Sequence, residues 1–187
     1  MPVLSAFHCQ SLVSPNLAAA EQFHASFSGF QAVGSLTGLT GAIPSTGRAD
    51  LHLYLDETGQ TLAYTLTFSS LVAPVTQAHI HFGKHHVPGG IIVWLCGTAV
   101  APGPAGTPSC PTNGTVTRTI VPGNVVGPTG QGIAVGDFAG LVAALESDTA
   151  YGNIHSTLHP AGEIRGQIQR IFDDNGLYNL PGIGNGR

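Results

Sequence analysis

Charged side chains are scarce in this chain of 187 residues. Asp, Glu, Lys and Arg together make up only 9%, whereas there are 26 glycines and 13 prolines. Helices on the surface of a globular protein present charged faces, so this composition argues against a helical protein. The many turn-forming residues favour an all-β protein instead. The apolar content of 42% argues against disorder, and the length suits a single domain.

The chain also lacks a basic patch and a long apolar run. Its six basic residues are scattered and its net charge is −4 with histidine neutral, which argues against binding to nucleic acid. No run of about 18 uninterrupted apolar residues occurs, so no membrane span is expected. Residues 3–20 carry no charge, but the basic stretch that opens a signal peptide is missing, and no signal peptide is recognisable.

Motifs of several enzyme classes are absent as well. There is no Gly-x-Ser-x-Gly sequence and no glycine-rich phosphate loop in front of a helix, and the carboxylates Asp148 and Glu163 stand alone in the sequence. These absences argue against hydrolase chemistry and against nucleotide binding.

Cysteine occurs only three times, at positions 9, 96 and 110. Cys96 ends an apolar, strand-like run, and Cys110 lies in the Pro- and Gly-rich segment that follows. A disulfide between these two residues would close a short loop, so the sequence favours an oxidising compartment and a secreted or periplasmic protein. The alternative is three reduced thiols, one of them packed in the core.

Alternation of apolar and polar side chains predicts several strands. Residues 48–56 and 61–68 alternate in this way on either side of a turn, which predicts a β-hairpin. The continuous apolar run at residues 91–96 predicts a central buried strand. Residues 138–147 have helical spacing behind Asp137, which predicts a short helix with Asp137 as its N-cap.

These elements predict an all-β fold, either an antiparallel β-sandwich or a flattened Greek-key barrel, with one short helix. Neither an internal repeat nor a second domain boundary is visible. We expect an irregular N-terminal extension over residues 1–22, a β domain over residues 23–171 and a loose C-terminal tail over residues 172–187.

The most informative feature that is present is the arrangement of the histidines. His79 and His81 form a His-x-His pair on a strand-like segment, and His155 lies on a later one. Side chains alternate across a strand, so both imidazoles of the pair point to one face. The isoleucines beside them are expected to face the core, which places His79, His81, His155 and Arg165 together on the opposite, outer face.

Three imidazoles that face one direction suit a transition metal, copper first and zinc as the alternative. His159, in the turn after the last of these histidines, is the expected fourth ligand, and His85 and His86 are its rivals. The competing interpretation is a set of solvated surface histidines. His52 is expected to be a cross-strand packing residue, and His8 and His24 receive no role.

Two groups of motifs resemble the CHRD domain, which is common in secreted bacterial proteins. The first is the segment Ala78-His79-Ile80-His81-Phe82-Gly83. The second is Tyr151-Gly152-Asn153-Ile154-His155 followed by Gly162-Glu163-Ile164-Arg165-Gly166-Gln167-Ile168. The likeness covers roughly residues 23–171 and implies a β domain of a secreted or periplasmic protein.

A more distant likeness links the same residues to the copper site of the copper/zinc superoxide dismutases. It implies copper roles for His79, His81 and His155, and for Arg165 a catalytic role as the charge that guides a small anion or an oxygen species to the metal. No histidine lies between Val87 and Ile154, so a bridging zinc site is not expected and copper alone is favoured.

Three functions follow as hypotheses. The first is a copper protein with superoxide dismutase-like redox activity. The second is a copper-binding or copper-buffering protein without turnover. The third is a structural or interaction module of the extracellular matrix or cell surface, in which the histidine face is incidental.

Overall fold

The computed structural model describes residues 21–34, 41–58 and 60–171. This part of the chain contains nine β-strands and one α-helix, α1 (Phe138–Glu146). In chain order the strands are β1 (Glu21–Phe27), β2 (Arg48–Asp56), β3 (Thr61–Ser69), β4 (Val75–Phe82), β5 (Gly90–Gly97), β6 (Gly114–Ile120), β7 (Ala150–Ser156), β8 (Ile164–Gln167) and β9 (Gln169–Arg170).

The strands form two antiparallel sheets. The first sheet has five strands in the order β6-β3-β2-β1-β9, and the second has four in the order β5-β4-β7-β8. Apolar side chains of both sheets form one buried core. The predicted all-β, sandwich-like fold is confirmed.

The N-terminal extension and the C-terminal tail expected from the sequence lie almost entirely outside the described residues. The first strand begins at Glu21, two residues earlier than expected. Within the described part of the chain, no helix is long and apolar enough to cross a membrane.

The predicted hairpin and the predicted helix are both present. Strands β2 and β3 pair from Arg48↔Ser69 to Asp56↔Thr61, and their alternate leucines are buried. Helix α1 begins after Asp137, whose carboxylate accepts a hydrogen bond from the Gly140 amide at 2.8 Å. This contact satisfies one of the free N–H groups of the first turn, as expected of an N-cap.

Strand β5 corrects one expectation. Most of the apolar run at residues 91–96 is buried as predicted, with Ile91 and Trp94 half-buried, but the strand lies at the edge of the second sheet and not at its centre. Its outer side is covered by a later segment, since Val93 forms a bridge with Val125 and the Val126 amide donates to the Ile92 carbonyl. The hydrophobic run is thus explained by a loop that covers the strand. Periodicity alone does not distinguish a strand covered by a loop from a strand at the centre of a sheet.

The predicted disulfide between Cys96 and Cys110 is present, with Cα atoms 5.0 Å apart. It fixes the loop after β5 against the end of that strand, and the backbone amide of Cys110 also donates to the Gly97 carbonyl at 2.8 Å. The remaining cysteine, Cys9, lies outside the described residues.

The two sheets are joined along one edge. Strand β8 belongs to the second sheet and β9, one residue later, to the first, so the chain crosses between the sheets at Ile168. Beside this crossing, Ser28 at the end of β1 exchanges two backbone hydrogen bonds with Arg165 on β8. The backbone of β8 is therefore held from both sheets.

Two glycines allow the sheets to approach near this edge. Gly152 and Gly166 lie opposite each other on β7 and β8. A Cβ atom on Gly152 would lie 2.2 Å from Cζ of Phe27, and a Cβ atom on Gly166 would lie 2.6 Å from the Ser26 carbonyl oxygen. The Phe27 ring occupies the space that side chains at these two positions would need, so both positions require glycine.

We expect Gly152→Ala to lower the free energy of unfolding by about 1–3 kcal/mol, because the added methyl group overlaps the buried Phe27 ring. Gly123→Ala is the control, since a Cβ atom there meets nothing within 4 Å. Thermal and urea unfolding of both variants measure the difference. Equal stability of the two variants would contradict the packing described here.

Candidate metal centre

Strands β4 and β7 bring three histidines together. The two strands are neighbours in the second sheet, paired through His79↔Asn153 and His81↔Tyr151. One ring nitrogen from each of His79, His81 and His155 lies within 4.8 Å of the others. Their rings meet edge to face, with centroids 5.3 Å apart for His79 and His81 and 5.0 Å apart for His79 and His155.

The histidine cluster is buried, which corrects the expectation of a surface site. The side chains do lie on the face of the sheet opposite the isoleucine core, but His79 is only 1% exposed and His81 and His155 are 7% exposed. Residues 83–89, here called the covering loop, lie against this face through hydrogen bonds from His81 and Arg165. The connection between β7 and β8 contacts His155 in the same way.

Backbone carbonyls fix the orientation of two of the rings. Nδ1 of His81 lies 2.8 Å from the Gly89 carbonyl oxygen, and Nδ1 of His155 lies 2.9 Å from the Pro160 carbonyl oxygen. A carbonyl oxygen can only accept, so in the neutral ring of His155 Nδ1 carries the proton and Nε2 keeps a lone pair. In His81 both ring nitrogens face an oxygen, since Nε2 lies 3.0 Å from Oδ1 of Asn153, and the neutral ring donates to only one of the two. A carbonyl acceptor on the other ring nitrogen is the usual outer-shell support of a metal-binding histidine.

The ring nitrogens facing the cluster are short of partners. Nε2 of His155 and both nitrogens of His79 are buried without a hydrogen-bonding partner among the described residues. The His79 ring instead contacts Trp94 edge to face, with centroids 4.2 Å apart. Buried polar atoms are normally paired, so these lone pairs are available to a ligand.

A metal ion bound to all three histidines would require their ring nitrogens to move closer together. Metal–imidazole bonds of about 2.0–2.1 Å imply nitrogen–nitrogen distances of about 3.5 Å around a three-coordinate ion, compared with the 4.8 Å limit within which these nitrogens lie. The Asn153 side-chain oxygen lies 3.0 Å from Nε2 of His81 and must yield this position when a metal binds.

The environment keeps the three imidazoles neutral. Burial is the main cause that lowers the pKa of His79 to about 2, and the neighbouring His155 and His81 contribute to the same shift. Burial also lowers the pKa of His81 to about 4 and depresses that of His155, although the Pro160 carbonyl acts against the shift. Neutral imidazole is the form that binds metal, so no proton has to be displaced near neutral pH.

Arg165 is buried as well, at 3% exposure. Its guanidinium donates to the Lys84 carbonyl at 2.9 Å and to the Val87 carbonyl at 3.2 Å, and its Cζ lies 3.4 Å from the centre of the Tyr151 ring. Among the described residues it forms no ion pair with a carboxylate. The side chain thus anchors the covering loop and is not a charge at the surface; its guiding role stays a prediction.

The other histidines that the structure describes are not part of the cluster. His159 is half-buried in the turn after β7 and is not among the three residues whose nitrogens converge. His85 and His86 are exposed on the covering loop with ring centroids 5.2 Å apart. His52 packs across the strands against His24, as predicted, at 4.6 Å between centroids.

Sequence reasoning missed two residues that complete the centre. Tyr151 stacks on His81 with centroids 4.8 Å apart and rings nearly parallel, and its hydroxyl accepts from the Gly89 amide. Asn153 contacts His81 as described above. Both lie at even spacing from His155 on β7, so the alternation that placed His155 on this face also predicts their position.

Glu163 is a third omission. It is fully buried immediately before β8, where it accepts hydrogen bonds from the Ser45 hydroxyl at 2.6 Å and the Val72 amide at 2.8 Å. It does not pair with Arg165, and it ties two distant loops to the start of the strand. Apart from its place in the motif that carries the family resemblance, no signal in the sequence distinguishes this residue from a surface carboxylate.

Comparison with known proteins identifies the family. The sequence model of the CHRD domain matches residues 23–168, well over half of the chain, and the chain belongs to this family. No curated protein matches, and no solved structure does. The distant likeness to the copper site of superoxide dismutases is not borne out by these comparisons. CHRD domains are found in extracellular or periplasmic proteins.

We expect the metal-free protein to lose stability as the pH falls below about 6.5. The pKa values of His79 and His81 are about 2 and about 4 in the folded chain against about 6.5 when unfolded. The unfolded state therefore binds more protons in this range. Each of the two histidines lowers the free energy of unfolding by about 1.4 kcal/mol per pH unit, from pH 6.5 down to its folded pKa.

Urea unfolding at pH 8, 7, 6 and 5 measures this slope. The double variant His85→Gln/His86→Gln is the control and should keep the slope, because both residues are exposed. A free energy of unfolding that does not change between pH 7 and pH 5 would show that the buried rings do not resist protonation.

Proposed function

We propose that this member of the CHRD family is an extracellular or periplasmic copper-binding protein in which His79, His81 and His155 hold one ion. The observation that carries the proposal is the buried convergence of three imidazoles, with nitrogens of His79 and His155 left without partners. An unsatisfied buried polar atom costs about 1–3 kcal/mol. A bound metal removes this cost, whereas an incidental group of histidines would retain it.

Copper is favoured over other metals by the chemistry of the donors. Imidazole suits copper and zinc, and copper forms the stronger complexes in the series of divalent ions. The cluster contains neither thiolate nor carboxylate, so calcium, magnesium and manganese, which prefer oxygen donors, are poor candidates. Zinc remains the competitor that the experiment must include.

The burial supports binding without turnover. A superoxide dismutase-like centre needs an open position on the metal and a path for the anion to reach it. Here the ligands are almost fully buried and the guanidinium of Arg165 is held by carbonyls of the covering loop. Storage or buffering of copper therefore agrees better with this geometry than redox catalysis does.

The test of copper binding uses Trp94, the only tryptophan of the chain. Because Trp94 lies against His79, copper in the cluster should quench its fluorescence with one equivalent bound. Elemental analysis after desalting, on protein made without a His tag, gives the stoichiometry. We expect His79→Gln and His155→Gln to weaken binding by about 100-fold or more, since each removes a ligand.

The double variant His85→Gln/His86→Gln controls for adventitious binding to the exposed pair and should quench like the parent chain. Retention of less than one tenth of an equivalent of metal by the parent chain would refute copper binding and favour the structural-module hypothesis. Equal quenching by the parent chain and His79→Gln would place the copper elsewhere.

We also expect the copper-loaded protein to show no superoxide dismutation above that of the metal-free protein. The assay is run with excess chelator, which removes the contribution of free copper. Chelator-resistant activity that falls in Arg165→Ala at low ionic strength, with copper content unchanged, would instead support the guiding role of Arg165 and a catalytic centre.

A further inference from the structure

The net charge of the loaded site depends only on the ion. The three imidazoles are neutral donors, and within the described part of the chain no carboxylate joins the cluster. The complex would therefore carry a charge of +1 with Cu(I) and +2 with Cu(II) or Zn(II). Oxygen or sulfur anions, which offset the second charge in many metal sites, are absent from this cluster.

Burial makes that difference large. The cost of moving an ion out of water rises with the square of its charge, so a divalent ion pays about four times the cost of a monovalent one in the same site. His79, His81 and His155 are at most 7% exposed and have little access to water. Burial of the cluster thus disfavours a divalent ion more strongly than a monovalent one.

Arg165 adds a repulsion of the same sign. Its guanidinium is in contact with the Tyr151 ring, which stacks on His81, and among the described residues no carboxylate pairs with it. A fixed positive charge repels a divalent ion twice as strongly as a monovalent one. The position of Arg165 near a metal ligand therefore opposes Cu(II) and Zn(II) more than Cu(I).

The number of donors points in the same direction. Zn(II) in protein sites is almost always four-coordinate, and Cu(II) prefers a tetragonal arrangement. Here the converging set holds three residues. A three-coordinate ion needs no further ligand.

We infer that the cluster of His79, His81 and His155 selects copper in its monovalent state, Cu(I), over Cu(II) and Zn(II). This inference rests on the copper-binding function proposed above and names the species bound. Arg165 is then a positioning residue that does not contact the ion. It acts through the repulsion of its positive charge and by holding the covering loop in place.

The test compares the dissociation constants of the three ions. All proteins carry Cys9→Ser, which removes the cysteine outside the disulfide, because thiolate binds Cu(I) strongly. Competition with bicinchoninate under anaerobic conditions with ascorbate gives the constant for Cu(I), competition with glycine that for Cu(II), and a zinc indicator dye that for Zn(II). We expect Cu(I) to bind at least about 100-fold more tightly than Cu(II), which corresponds to a rise of about 120 mV in the reduction potential of the copper.

Arg165 variants test the origin of the preference. Arg165→Gln should reduce the Cu(I)/Cu(II) affinity ratio by about tenfold, as expected for one charge about 10 Å away at moderate dielectric. Arg165→Lys should keep the ratio. Arg118→Gln, on β6 of the other sheet, is the control and should not change it. Circular dichroism establishes that each variant is folded.

The outcomes separate this inference from the proposed function. Binding of Cu(II) or Zn(II) as tightly as Cu(I) would overturn the selectivity and leave copper binding in place. Failure of all three ions to bind would overturn the proposed function and the selectivity together. An unchanged Cu(I)/Cu(II) affinity ratio in a folded Arg165→Gln variant would show that the charge of Arg165 has no role. The selectivity itself would still be decided by the affinities of the parent protein.

Discussion

The structure depends on one constraint, which is that β7 and β8 are buried on both faces. One face carries isoleucines into the core of the sandwich, and the other carries His155, Asn153 and Arg165 beneath two loops. A shift of either strand by one residue would exchange these faces, driving imidazoles into the core and isoleucines among polar partners. Such a strand has one acceptable register. The same constraint that fixes the register of these strands therefore fixes the position of His155, one of the three candidate ligands, in the absence of any metal.

Much of this arrangement was predictable from period-two alternation. It predicted the β2–β3 hairpin and the common face of His79, His81 and His155, while helical spacing behind Asp137 predicted α1. Alternation shows on which side of a sheet a side chain lies, but it does not show which segment of the chain covers that side. The burial of the cluster and the edge position of β5 were missed for this reason, because both depend on irregular segments that have no period. The loop contacts around the cluster use backbone carbonyl oxygens, which every residue type offers.

The support of the candidate ligands illustrates this limit. The groups that orient His81 and His155 are the carbonyls of Gly89 and Pro160. No side chain in the sequence indicates that these carbonyls have this role. The anchor of the covering loop is similar, since Arg165 donates to two carbonyls of that loop and to no carboxylate. By contrast Tyr151 and Asn153 were within reach of prediction, because they share the parity of His155. The common face of the three imidazoles could thus be predicted from the sequence, whereas the groups that orient and cover them are known only from the structure.

The edge along which the two sheets are joined affects the order of events during folding. Strand β9 pairs with β1, so residues from opposite ends of the described chain lie side by side, and Ser28 is bonded to the backbone of Arg165. Contacts of such long sequence separation form late and slowly. The histidines of β4 leave the ribosome or the translocation pore long before β7 and β8 follow. The complete set of three imidazoles, with its cover, therefore exists only after β7 and β8 have joined β4 in the second sheet.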